Sequence, residues 1–223
     1  MIQLESEIIF KFLVNQYFYL LDRFRYVGRG DLFIHHSDKS FLLLLLTSTS
    51  GFLAPLAQLI DARTGGWGLS YADTSPYSDK TIVGLLFLAT NFFFVWAGIN
   101  LFHANNYVLS ASIEVSGLAS FYYHWCQIHY GPKRDEVRVS LLIDYITAFI
   151  TINLTFFEIV LLAIRIFDST DQNFLLASEP FLYGVLGIFC LLGSWAFEYG
   201  LPYIILHGFW HIFSAISASS LTH

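Results

Sequence analysis

Six stretches of this chain, 41–62, 81–103, 106–127, 139–165, 175–198 and 201–221, are predominantly apolar. Each is close to the roughly 20 residues that a helix needs to cross a bilayer. Such runs leave few folds open, because in hydrocarbon every backbone amide and carbonyl must be paired within the protein, which restricts spanning segments to helices and closed barrels. The runs are continuous rather than alternating, so helices are expected. A further stretch, 6–21 (SEIIFKFLVNQYFYLL), carries Glu7, Lys11 and Asn15 and reads as an amphipathic helix at the membrane interface. The expected fold class is all-α, a polytopic transmembrane helix bundle of about 6–7 spans. It forms a single multi-pass membrane domain over 1–223, with an interfacial helix and loop over 1–40 and the bundle over 41–223.

Composition agrees with that solvent. The chain is 56% hydrophobic and 13% charged, where a soluble domain carries roughly a quarter charged residues. Its mean hydropathy is +0.59, as expected of an integral membrane protein. A net charge of −6 without a basic cluster excludes a surface that tracks a phosphate backbone, and with it a nucleic-acid partner. Cys126 and Cys190 both lie within apolar runs, so no disulfide framework is indicated. The first residues, MIQLESE, resemble neither a cleaved signal peptide nor a transit peptide. Lys and Arg show no decisive asymmetry between alternate loops, which leaves orientation open. The segment 63–80 (RTGGWGLSYADTSPYSDK) is punctuated by Gly, Ser and Pro and is expected to be a loop.

Against this apolar background the polar residues carry information, since an ionisable group in a membrane segment is costly and points to function. In 106–127, Ser112, Ser116, Ser120 and His124 recur every four residues and share one helical face. Gly117 beside them permits close approach of another helix. In 139–165, Asp144, Thr151 and Glu158 are spaced by seven, about two turns apart, so they too share a side. In the last run His207 and His211 are four apart, the spacing at which two imidazoles converge on one ion. Three neutral imidazoles are the protein share of a catalytic zinc site, which keeps a fourth position for water. Read that way, His124, His207 and His211 are candidate zinc ligands and Ser120 and Asp144 candidate catalytic groups, for oxyanion contact and proton transfer. The blander reading is helix packing by the Ser stripe and hydrogen-bonded histidines. A third is b-type haem held by His124 opposite His207 or His211.

These residues resemble a known motif set. Ser120-x-x-x-His124, a following intramembrane Asp144 and a C-terminal His207-x-x-Trp210-His211 are similar to the motifs of the CREST superfamily of membrane hydrolases. That superfamily includes alkaline ceramidases, progestin/adiponectin receptors, the Per1 GPI-remodelling proteins and myomaker with its relatives. The wording F121-Y122-Y123-H124-W125-C126 and H207-G208-F209-W210-H211 is most similar to the myomaker-like branch. The likeness covers residues 106–221, is shortened between Asp144 and His207, and has Gln127 where the family usually has Asp and Leu109 where relatives carry an acid. It implies a seven-helix core with one zinc on His124, His207 and His211, Ser120 and Asp144 beside the metal's water, and cleavage of a lipid amide or ester bond in an endomembrane. The alternative expectation is a non-catalytic subunit of a larger membrane complex, such as a bioenergetic assembly in an organellar inner membrane, that retains the metal site. Membrane lipids are partners in the first case and other subunits in the second.

Overall fold

The computed structural model describes residues 53–77, 81–168 and 174–222. The expected interfacial helix over 6–21, His35, His36 and most of the run 41–62 lie outside the described residues, although 53–63 is helical. After the loop that begins at 64, six helices follow: α1 (Ile82–Ala89), α2 (Phe92–His103), α3 (Tyr107–Tyr130), α4 (Asp135–Asp168), α5 (Phe174–Phe197) and α6 (Gly200–Ser219). A 3₁₀ turn, Ser220–Thr222, ends the described chain.

Four segments are long and apolar enough to cross a membrane: Ile82–His103, Asp135–Ile166, Ser178–Phe197 and Gly200–Thr222. The described residues thus form an all-helical structure with the character of an integral membrane protein, and among them these four spans are fewer than the six runs of the sequence. The difference has a physical reason in α3. It is long enough, but Ser110, Ser112, Glu114, Ser116, Ser120, His124 and Gln127 lie along it, and that polar content lowers its hydropathy. Most of these groups are buried, so α3 is a central helix whose polar face is turned inward.

Local sequence explains the boundaries. The Thr81 hydroxyl accepts the Gly84 amide at 3.1 Å and opens α1, and the Asn106 side chain accepts the Leu109 amide at 3.3 Å and opens α3, as N-caps do. Gly131, at φ +77°, ends α3 in the backbone region that glycine tolerates. The run 81–103 is not one helix. It breaks at Thr90-Asn91, where the Thr90 hydroxyl donates to the Phe87 carbonyl at 2.6 Å.

The helices form a ring in which α2 packs on α3, α3 on α4, α5 on α6, and α6 back on α2, while the seam between α4 and α5 is thin. Close approach depends on glycine. A Cβ added at Gly117 of α3 would lie 2.7 Å from the Phe94 Cβ of α2, and one at Gly187 of α5 would lie 3.2 Å from Trp210 of α6. The 64–77 loop fastens one end of the ring. Asp61 accepts the Leu69 amide, the Ser70 hydroxyl and the Arg138 guanidinium of α4, the last at 2.9 Å. Asp73 takes the Gly200 amide at 2.8 Å and donates its own to Glu198 at 2.9 Å, pinning the turn between α5 and α6.

Gly117→Ala is expected to lower stability by about 1–3 kcal/mol, the usual cost of overpacking, because the Phe94 Cβ is fixed to its backbone. Thermal unfolding of the detergent-solubilised protein measures this, and an unchanged midpoint would contradict the α2–α3 packing.

Candidate metal centre

Three rings from two helices meet inside the bundle. His124 comes from α3 and His207 and His211 from successive turns of α6; all three are buried, and their ligand atoms lie within 4.8 Å of one another. Their ring centroids are 4.9, 5.0 and 4.9 Å apart pairwise. Phe87 of α1 closes the cluster from the side, with its ring 4.6, 6.1 and 6.0 Å from those of His124, His207 and His211. With a phenyl ring against all three imidazoles, no flat space is left for a macrocycle between them, which argues against haem.

Each imidazole is held from outside through Nδ1. His124 Nδ1 meets the Gln127 amide oxygen at 3.0 Å, His207 Nδ1 the Ser194 hydroxyl of α5 at 3.1 Å, and His211 Nδ1 the Thr90 hydroxyl at 2.7 Å. This leaves the three Nε2 atoms as the inner atoms of the cluster. Ser120 Oγ lies 3.3 Å from His211 Nε2, whereas His124 Nε2 is buried without a hydrogen-bond partner among the described residues.

That orphaned nitrogen is the observation that decides whether a metal fits. A buried polar atom without a partner costs about 1–3 kcal/mol, and here the neighbours that face it are two more imidazoles. Three histidine nitrogens with hydrogen-bonded outer partners are the ligand type and arrangement that zinc takes in open, catalytic sites. The residues therefore fit a metal ion, and other divalent ions that accept imidazole fit the same set.

A cavity of about 680 Å³ reaches this cluster. Ser116 and Ser120 of α3, Asp144 and Thr151 of α4, and His207 and Trp210 of α6 all line it. Its remaining wall is almost wholly apolar, and it follows the α4–α5 seam from Leu142 to Ile159, a rise of about 25 Å at the helical repeat. Phe149, Phe156, Phe181 and Ile188 both line the cavity and are exposed on the outer flank of α4 and α5. Among the described residues, then, the cavity is open sideways through the seam. At its loop end it is bordered by Trp67 and Tyr71, with Trp67 edge-on to Trp195.

The sequence-predicted residues thus fall together: His124, His207, His211 and Ser120 form one cluster, and Asp144 shares the cavity wall with Ser120 and His207. Ser112 does not reach it, because its hydroxyl pairs with Thr151 of α4 at 2.7 Å. His129 lies apart, stacked on Trp125. Glu114 is buried with Oε1 unpartnered, packed against Gly98. Thr90, Ser194 and Phe87 were not anticipated. The signal for Thr90 was the Thr-Asn pair interrupting an apolar run; a lone Ser in a span, such as Ser194, carries none. No family model, curated protein or solved structure matches this chain.

The purified protein is expected to carry about one divalent metal ion per chain that His211→Ala abolishes. Elemental analysis of both proteins tests this, and a wild-type protein devoid of metal after expression in zinc-supplemented medium would contradict it.

Proposed function

We propose that this chain is a zinc-dependent membrane hydrolase of CREST type that cleaves an amide or ester bond of a lipid. The observation that carries this reading is the position of the three-histidine cluster at one end of a long apolar cavity that opens sideways between α4 and α5. A metal site serving only to bind helices together has no need of such a space. A lipid substrate arrives from the side, within the membrane, and lays its acyl chain along Phe149, Ile152, Phe156 and Val185. The described lining holds one carboxyl group, Asp144, and no Lys or Arg. This favours an uncharged or amine-bearing lipid over one that presents a phosphate, since nothing there would offset its desolvated charge.

Bound zinc would supply Lewis acidity toward the scissile carbonyl and toward water. The protein's own groups do the rest. His124, His207 and His211 hold the metal, and Phe87 excludes water from behind them. Ser120 Oγ, a hydroxyl donor beside His211, contacts the oxygen on which charge develops. Asp144, buried in the same wall, takes the proton of the attacking water and returns it to the leaving amine or alkoxide. The crossing of the membrane by α3, in addition to the four apolar spans, belongs to the same reading, because a CREST-like core places its Ser–His helix within the bundle.

Three variants separate the parts. His211→Ala should lose both metal and turnover. Asp144→Asn should keep the metal and lose turnover by about 10²–10⁴-fold, the usual contribution of a positioned acid–base group. Val185→Trp should keep the metal and block long-chain substrates. A screen of ceramide and ester lipids by mass spectrometry reads all three. Full turnover in Asp144→Asn would sink the assignment of that residue, and a metal-loaded wild type inert toward every lipid would favour the non-catalytic subunit.

A further inference from the structure

The outer partners of the three imidazoles share a property that their identity alone does not suggest. Each has only the protons it needs for a second contact. The Thr90 hydroxyl lies 2.6 Å from the Phe87 carbonyl and 2.7 Å from His211 Nδ1. It has one proton for two short contacts. An oxygen–oxygen approach of that length is repulsive unless the hydroxyl proton lies between, so the proton in the second contact must come from the ring. Ser194 repeats the arrangement, with its hydroxyl 2.7 Å from the Leu191 carbonyl and 3.1 Å from His207 Nδ1. At His124 the same end is reached by an amide. The Gln127 NH₂ donates to the Ala72 carbonyl at 3.0 Å and faces the Tyr203 hydroxyl at 3.4 Å, which turns the amide oxygen, an acceptor only, toward His124 Nδ1.

We propose that Thr90, Gln127 and Ser194 act together as a tautomer lock: each forces the proton of its histidine onto Nδ1, so that all three rings present bare Nε2 lone pairs to one point. These are positioning residues, acting through the imidazoles, and the proposal rests on the metal reading of the cluster only for the purpose of the lock. Its physical content stands without metal. Among the described residues, three lone pairs facing each other in a buried space have a single hydroxyl donor within hydrogen-bond distance, that of Ser120, at 3.3 Å from His211 Nε2. One donor cannot satisfy three acceptors, and the unpartnered His124 Nε2 is the visible remainder. A shared cation resolves this without moving any proton, whereas rings free to choose would place protons on the inner nitrogens and obstruct the ion.

The three acceptors are neutral and come from different parts of the fold: the break between α1 and α2, α3 itself, and α5. Each is anchored on a main-chain carbonyl, of Phe87, Ala72 and Leu191 respectively. The lock is therefore a product of tertiary folding, assembled only when the loop and α5 are in place. Thr90 offers the cleanest test, because Thr90→Val preserves shape and leaves only the Phe87 carbonyl, which still accepts the residue-90 amide at 3.2 Å. Removing the Gln127 side chain would instead strip a partner from the Ala72 carbonyl.

The experiment uses the full chain in detergent, labelled with ¹⁵N-histidine and stripped of metal by chelation. Imidazole nitrogen shifts distinguish the two tautomers directly. The expected wild-type result is three buried rings protonated at Nδ1. Thr90→Val should release His211 into the Nε2–H form that imidazole favours in water and weaken cobalt(II) binding by about 10–100-fold. Thr90→Ser, which keeps the hydroxyl, should restore both. An Nε2–H signal from any of the three rings in the wild type, or undiminished cobalt affinity in Thr90→Val, overturns the lock. A wild type with three Nδ1–H rings that takes up no cobalt supports the lock and overturns the metal-dependent hydrolase reading instead.

Discussion

Everything distinctive in this bundle follows from the need to keep three imidazole rings close together in its buried interior. Neutral imidazoles whose inner nitrogens all accept have nothing to offer one another, so the surrounding protein must hold them there by other means. It does so with hydrogen bonds on the far side of each ring and with the face of Phe87. Thr90 of the break in the first described span supplies one of these hydrogen bonds. The same break that interrupts the helix frees a threonine hydroxyl to face α6. Elsewhere the helices obey ordinary membrane packing, with glycines at contacts and hydroxyls turned back onto their own carbonyls, as Ser214 does to Trp210.

The second organising feature is the unequal closure of the ring. α2, α3 and α6 pack tightly, helped by Gly117 and Gly98, and α5 lies close on α6 through Gly184 and Gly187. Between α4 and α5 the side chains do not fill the space. A long helix with few buried residues, such as α4, loses little by standing off when lipid or another apolar group can occupy the gap. The cavity is thus the natural result of one loosely held wall, and among the described residues Asp144 is the one carboxyl group of its lining.

Much of this was legible in the sequence, for reasons that differ by residue. Helix positions followed from the apolar runs, although α3 and α4 extend three and four residues into the stretch 128–138, whose polar residues mark it as a loop in sequence. The meeting of His207 with His211 followed from a four-residue spacing on one helix, and Ser120 with His124 from the same periodicity on another. That the two pairs face each other is a tertiary fact. Spacing made it plausible only through resemblance to a known motif set. Asp144 was visible as an acid inside a span. Thr90 and Ser194 were not, since a hydroxyl in a membrane helix most often bonds to its own backbone, and theirs do that as well as holding a histidine. Gln127 stood out only as a departure from the expected Asp. Its amide oxygen faces His124 where a carboxylate would have brought a charge. The interruption at Thr90-Asn91 has no counterpart in hydropathy, and that the polar face of α3 turns inward is a matter of burial, which hydropathy does not report.

The Asp61–Arg138 ion pair, the Asp73 contacts to the α5–α6 turn and the Gln127–Ala72 hydrogen bond all lie toward the same end of the molecule. There α4 and α5 are tied down, while farther along they face each other across the gap. The two ends of the cavity consequently differ in compliance. At the fastened end the spacing among His207, Ser120 and Asp144 is insulated from whatever fills the rest. At the other, Phe156, Ile159 and Phe181 can yield to occupants of different bulk. On the proposed hydrolase reading, such a molecule is strict about the head of its substrate at the polar end and permissive about the length of the chain beyond it.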